Sequence, residues 1–310
     1  MNSIAIHTEN LSRTFGQVTA LNNVSLEVPA GIVFGFLGPN GAGKTTTIRL
    51  LLGLLAPTSG RATVLGLDTH TQGAEVRKNC GALLENTGLY ERMTAEDNLE
   101  FYGRVWHMPP AERKARIQML LESTGLWERR KEPAGQWSRG MKQKLAVARA
   151  LLHQPQILFL DEPTAGMDTL AAAALREDLV NLVQQHGVTV FLTTHNMAEA
   201  EKLCQRVAVI RQGQLLLIGS PDELRLRKGG NRLEIVGRGF TEQVISLLRQ
   251  RPEVTGVEWS DQHVTIDLHE EVDTAPLVQI LVAQGVQIDE VRRGRASLEE
   301  VFITLMEEDK

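Results

Sequence analysis

Apolar residues follow two rhythms in the first two thirds of this chain. In "IAIHTENLSRTF" (4–15) and "LNNVSLEV" (21–28) apolar and polar positions alternate, which predicts early strands with one buried face. In "GIVFGFLG" (31–38), "QILFLDE" (156–162) and "VTVFLTTH" (188–195) the apolar run is continuous. Such runs belong to strands covered on both faces, and the last two follow helix-like sequence, so the pattern predicts a mainly parallel sheet wrapped by helices. Between Asn86 and Gly135 the period becomes helical, with "TAEDNLEFYGRVW" and "PAERKARIQMLLEST" both amphipathic and both opening on good start signals. This predicts a helical insertion, placed at about 86–152. "RVAVIRQGQLLLIG" then reads as a hairpin turning at Gln212-Gly213, and "SPDELR" as a helix start, with Ser220 as N-cap and Glu223 closing a capping box.

The stretch "RKGGN" is the most linker-like segment. A domain boundary there gives one α/β domain at 1–228 and a second domain at 229–310. The second reads strand "RLEIVG", helix "TEQVISLLRQ", strands "VTGVEW" and "HVTIDL", helix "APLVQILVAQ", strand "VQIDEVRR". That order is the ferredoxin-like split βαβ arrangement, a small α+β fold. A last helix, "SLEEVFITLM", begins with a Ser297/Glu300 capping box and presents Leu298, Val301, Phe302 and Leu305 on one face.

Composition narrows the class. Hydrophobic content of 42% and charged content of 23% are those of an ordinary globular protein, and 310 residues suffice for two cores. A net charge of −5 argues against a general nucleic-acid binder. Cys80 and Cys204 form no ligand-spaced cluster, so buried thiols in a reduced compartment are expected. "MNSIAIHTEN" lacks the pattern of a secretory signal, and runs such as "LLLGLLAP" are too short to span a bilayer. A cytosolic chain is expected, with any membrane association supplied by a partner.

The chemistry is concentrated in a few short stretches. "GPNGAGKTT", from Gly38 to Thr46, matches the phosphate-loop pattern and lies between a predicted strand and a predicted helix. Gly38, Gly41 and Gly43 let the backbone curl around a polyphosphate, with Asn40, Ala42 and Thr46 in the same loop. Lys44 can reach the β- and γ-phosphates, and the Thr45 hydroxyl can ligate Mg²⁺. Asp161 ends a buried strand, where α/β proteins bind ligands, and suits the metal; Glu162, next to it, suits the polarising of a water. His195 ends another buried strand, placed to touch the γ-phosphate or to position Glu162. Hydrolysis of a nucleotide is therefore expected. "GQWSRGMKQKLAVARAL" adds a second helix start, at Ser138 and Gly140, whose free N–H groups suit an anion.

Taken together, the phosphate loop, "WSRGM", "ILFLDEPTAGMD" and "TTH" resemble the nucleotide-binding subunit of ATP-binding cassette (ABC) transporters, in order and approximate spacing over nearly all of 1–220. The resemblance implies a P-loop NTPase fold and an ATP-hydrolysing, Mg²⁺-dependent subunit. It also implies two cassettes packed head to tail, identical or related, so that Ser138 and Gly140 contact the neighbour's γ-phosphate. Asp168 matches the residue that communicates across that interface, and Phe15 the aromatic that stacks on adenine. Glu85 stands where the family commonly has a metal-linked glutamine, and its carboxylate is a candidate Mg²⁺ ligand that adds repulsion near the γ-phosphate; Trp137, Arg139 and Met141 depart from Leu-Ser-Gly-Gly-Gln. The implied partner is an integral-membrane permease at the cytoplasmic face of the cell membrane, its coupling helix received near Leu89 and Tyr90.

The tail is similar to the accessory domain of drug- and antibiotic-export cassettes, including "SLEEVF". An exporter is the expected function. The rival is a soluble ABC ATPase acting on ribosomes or DNA, although neither a second cassette nor a coiled-coil or zinc insertion is visible. A module with a dead site is disfavoured by the presence of Lys44, Asp161, Glu162 and His195 together.

Overall fold

The structure, a computed structural model, describes residues 3–229, 231–269, 272–295 and 297–307. It separates into two compact units, 1–218 and 219–310.

The centre of the first unit is a six-stranded sheet in the order Gln214–Gly219, Arg206–Arg211, Val33–Leu37, Thr189–Thr194, Ile157–Asp161, Cys80–Leu83. From Arg206–Arg211 to Cys80–Leu83 the neighbouring strands run parallel. The continuous apolar runs have the physical meaning expected of them: every residue of Val33–Leu37, Ile157–Asp161 and Thr189–Thr194 is buried. Phe34, Phe36 and Phe159 gather around Phe191 with ring centroids 5.5–5.6 Å apart, in a core shared with Ile6, Leu21, Val28 and Val64 and with Ile48 and Leu51 of the helix Lys44–Leu51. The alternating segments form a separate antiparallel sheet in which Ile4–Phe15 lies between Val18–Pro29 and Ser59–Val64. The short edge strand Cys80–Leu83 was not expected, since "CGAL" is too brief and too rich in small residues to stand out.

The helical segment consists of Ala95–Val105, Pro110–Ser123 and Arg139–Leu151, and it belongs to the same unit as the sheets. Its helices start where the sequence places them. Thr94 accepts a bond from the Asp97 N–H at 3.1 Å, and Ser138 one from the Met141 N–H at 3.3 Å. Both cysteines are buried and free, and burial pushes the Cys80 thiol up to about 12.

The second unit carries a four-stranded sheet in the order Val254–Trp259, His263–Leu268, Asn231–Arg238, Gln287–Arg295, with every neighbouring pair antiparallel. This is the ferredoxin-like order, and Leu233, Ile235, Ile245, Leu248, Ile266 and Leu281 fill its core. The unit begins after Ile218, whereas the linker signal placed the boundary after Lys228. The reason is the helix Pro221–Gly229, which packs on Leu298–Glu307 and on Gln287–Arg295 and buries Leu224 completely. Ser220 and Glu223 do form the reciprocal capping box, at 3.1 and 2.8 Å. Ser297 and Glu300 form the other, at 3.2 and 2.8 Å. Of the face predicted for the last helix, Leu298 and Val301 are buried; the side chain of Leu305 lies outside the described residues.

Candidate functional site

The strand Val33–Leu37 leads through the loop Gly38–Gly43 into the helix Lys44–Leu51. This loop accepts little but glycine at two points. Gly43 has φ +107°, and a Cβ there would stand 2.5 Å from the Ala20 carbonyl oxygen. A Cβ on Gly38 would overlap the Ile210 carbonyl oxygen. The chain therefore curls tightly, and Lys44 folds back over the loop: its Nζ donates to the carbonyls of Gly38 at 2.8 Å and Pro39 at 3.1 Å. Lys44 is buried, and its ammonium stands 3.2 Å from Glu162 Oε1.

Glu162 follows the buried strand Ile157–Asp161 and takes a left-handed backbone, φ +51°. Its N–H is held by the Thr193 carbonyl and hydroxyl oxygens, each at 3.1 Å, which stabilises a conformation rare for a side-chain-bearing residue. Its Oε2 accepts from His195 Nδ1 at 2.8 Å. One carboxylate thus touches both the phosphate-loop lysine and the strand-end histidine.

Asp161 is the neighbouring anion. Thr45 Oγ1 donates to its Oδ2 at 2.6 Å and Thr193 Oγ1 to its Oδ1 at 2.5 Å. Asp161 is buried, and among the described residues no cationic side chain pairs with it. A buried carboxylate with hydroxyl donors alone is electrostatically incomplete, and its hard oxygens match the ligand chemistry of Mg²⁺. The donor set fits that ion. Glu85 is not drawn into this group: it is exposed and forms an ion pair with Arg49 at 3.8 Å.

The remaining predicted positions have local partners of their own. Phe15 is 43% exposed at the end of its strand, with the Arg13 guanidinium 4.5 Å from its ring centroid. Ser138 and Asp168 are both exposed N-caps; Asp168 accepts from the Ala171 N–H at 2.9 Å. Gly140 approaches Ala171 so closely that a Cβ would lie 3.1 Å from the alanine's. Arg139 lies over Gly166, where a Cβ would overlap its guanidinium, so this departure from the family pattern covers the loop that ends at Asp168. Trp137 is buried, donating from Nε1 to Glu132 at 3.2 Å.

Two groups escaped the sequence reading. Thr193 orients Asp161 and anchors Glu162, and its place before His195 in "TTH" was the available signal. Glu199 is 97% buried and accepts from Thr164 Oγ1 at 2.7 Å and Thr194 Oγ1 at 3.5 Å. It therefore ties together the two segments that carry Glu162 and His195. A glutamate inside "MAEAEKL" looks like helix surface, and nothing local marks it as buried.

A parallel sheet carrying a glycine-rich phosphate loop, with a buried carboxylate and a glutamate–histidine pair at the strand ends, is the arrangement of a P-loop ATPase of the cassette type. The comparisons make this specific. The family described as "ABC transporter" matches residues 21–165, and "ATP-binding protein DrrA1-3-like, C-terminal domain" matches 219–306. The chain is 34% identical to the daunorubicin resistance ATP-binding protein DrrA3 of Streptomyces coeruleorubidus, covering 100% of this chain and 98% of that one. It is 33% identical to the linearmycin resistance ATP-binding protein LnrL of Bacillus subtilis (strain 168), covering 97% of each. Among solved structures it is similar to an ATP-binding subunit of an ABC transporter, with TM-score 0.65 and 30% identity over 72% of this chain and 92% of that one. It is also similar to the dimeric cassette MJ0796 bound to ADP and Pi, with TM-score 0.63 and 25% identity over 69% of this chain and 98% of that one. The chain belongs to the ABC transporter ATP-binding proteins, with a DrrA-like C-terminal domain, and is an ATPase subunit of a transporter.

Proposed function

We propose that this subunit powers an exporter of drug-like compounds through ATP-driven closure of two cassettes. The observation that carries the reading is the convergence of Lys44, Glu162 and His195, because it couples phosphate binding to water activation in one cluster. In the proposed step Lys44 exchanges its contacts with the loop carbonyls and Glu162 for the β- and γ-phosphate oxygens of ATP. Glu162, released from the ammonium, orients the attacking water and accepts its proton, while His195 holds the carboxylate at Oε2. Thr45 and Asp161 would hold Mg²⁺, which when bound neutralises charge on the phosphates.

Phe15 is assigned to adenine stacking, and Asn40 to Thr46 supply backbone N–H groups to the phosphates. Ser138 and Gly140 of one cassette would face the nucleotide of its partner, with Asp168 at the same interface. Export is supported by the resistance proteins that align with the whole chain.

Coupling to a permease is assigned to the surface around Tyr90. Tyr90 and Phe101 are exposed with ring centroids 4.9 Å apart. The segment is tied to the catalytic unit, since buried Asn98 bonds both backbone groups of Tyr90 and Arg149 donates to the Ala82 carbonyl at 2.8 Å. Among the described residues no helix is long and apolar enough to cross a membrane, so the proposed partner supplies the pathway. The test is to purify the Glu162→Gln variant and measure its mass in solution with and without ATP. Accumulation of an ATP-dependent dimer without hydrolysis supports the reading; full turnover in that variant overturns it.

A further inference from the structure

The first unit holds a cavity of about 760 Å³ that the phosphate chemistry does not use. None of Lys44, Thr45, Asp161, Glu162 and His195 lines it. Its volume is that of a site for a drug-sized ligand. Its walls come from three helices, Pro110–Ser123, Arg139–Leu151 and Thr169–His186. Met119, Val147 and Leu182 supply apolar surface.

The wall also carries charged groups. Lys144 and Asp178 line the cavity from different helices and act on each other through their charges, with no bonded ion pair between them among the described residues. Arg116 adds a second cation; its Nη2 donates to the Leu151 carbonyl at 2.9 Å, and its buried Nε has no partner. Burial weighs against the charged form of Arg116, and it pushes the Asp178 carboxyl up, with Lys144 opposing that shift. Two cations therefore share the lining with one acid, so the wall carries an excess of positive charge and is complementary to an anion.

We propose that this cavity binds an amphipathic, drug-sized organic anion, its apolar body against Met119, Val147 and Leu182 and its charge toward Lys144 and Arg116, and that occupancy modulates ATP turnover. The second half follows from where the helices touch. Arg139–Leu151 and Thr169–His186 meet at their N-terminal ends, at Gly140 and Ala171, and the cavity opens between them beyond that contact. A ligand filling the open end acts on helices whose first residues follow Ser138 and Asp168, and close-packed helices transmit such strain. This half rests on the roles proposed above for those two caps; the binding half does not.

The probe is 8-anilinonaphthalene-1-sulfonate, an apolar double ring bearing a sulfonate, titrated by fluorescence into the full chain. Saturable one-to-one binding is expected, weakened about tenfold by Lys144→Met, since a charge-assisted contact is lost. Leu182→Trp should block binding by filling the cavity; Met119→Trp, at a position 43% exposed, does the same with less risk to folding. No saturation, or equal affinity in all three variants, overturns the site. With the probe bound, ATP turnover should change about fivefold or more in the native chain, and not in Met119→Trp. Saturable binding with unchanged turnover overturns the regulatory half, and Ser138→Ala with full turnover would place the fault in the cap assignments instead.

Discussion

His195 Nδ1 stands 2.8 Å from Glu162 Oε2, and the two residues, 33 positions apart, reach each other from the ends of adjacent parallel strands. The same carboxylate lies 3.2 Å from the Lys44 ammonium through its other oxygen. Glu162→Gln is expected to keep ATP affinity and lose at least about a hundredfold in turnover, as for removal of a general base. His195→Ala should lose a similar factor, and the double variant little more, because the pair acts as a unit. Additive losses in steady-state kinetics would show that the two act separately.

Glu199 touches no phosphate-site residue directly, yet it fastens Thr164 to Thr194. Glu199→Ala should lower kcat about ten- to a hundredfold with KM for ATP little changed, as expected when a positioned group drifts by about an ångström. Glu199→Gln keeps an acceptor for Thr164 and should restore most of the rate. Equal losses in both variants, matched by equal falls in melting temperature, would reduce the residue to a packing role.

Gly43→Ala combines a φ of +107° with a Cβ 2.5 Å from the Ala20 carbonyl oxygen. The strained backbone alone costs about 1–3 kcal/mol. Chemical denaturation should show that loss, and isothermal titration should show weakened ATP binding as the loop opens.

Glu85 is exposed beside Arg49 and adds negative charge close to the strand end that precedes it. Its carboxylate is expected to raise the Mg²⁺ requirement of hydrolysis above that of Glu85→Gln, through repulsion of the phosphates. Superimposable Mg²⁺ curves for the two proteins would refute this.

His153 stacks on Trp106 with ring centroids 4.0 Å apart, and its Nε2 lies 3.1 Å from the Cys80 carbonyl oxygen. Burial lowers its pKa below the ordinary 6.5, with the Cys80 contact opposing and the charges of Arg149 and Arg116 adding to the fall. The unfolded chain therefore takes up this proton first. Stability from this group is present above the unfolded pKa and is lost as pH falls from there through the folded value. Melting temperatures between pH 8 and 5 should decline less in His153→Gln than in the native protein.

The sequence by itself determined most element types, though not the short strand Cys80–Leu83, together with the phosphate loop and the family resemblance. These rest on short-range physics: continuous apolar runs make buried strands, Ser and Thr before a helix satisfy its free N–H groups, and only glycine accepts the loop's backbone at Gly43. Tertiary structure decided what depends on which surfaces meet. It assigned the helix Pro221–Gly229 to the C-terminal unit, because the faces that bury Leu224 lie at the far end of the chain. It turned Glu199 inward, although it reads as a surface acid, and set Glu85, expected at the metal site, beside Arg49. Side-chain burial and pairing depend on contacts between distant segments, and local patterning carries no record of them.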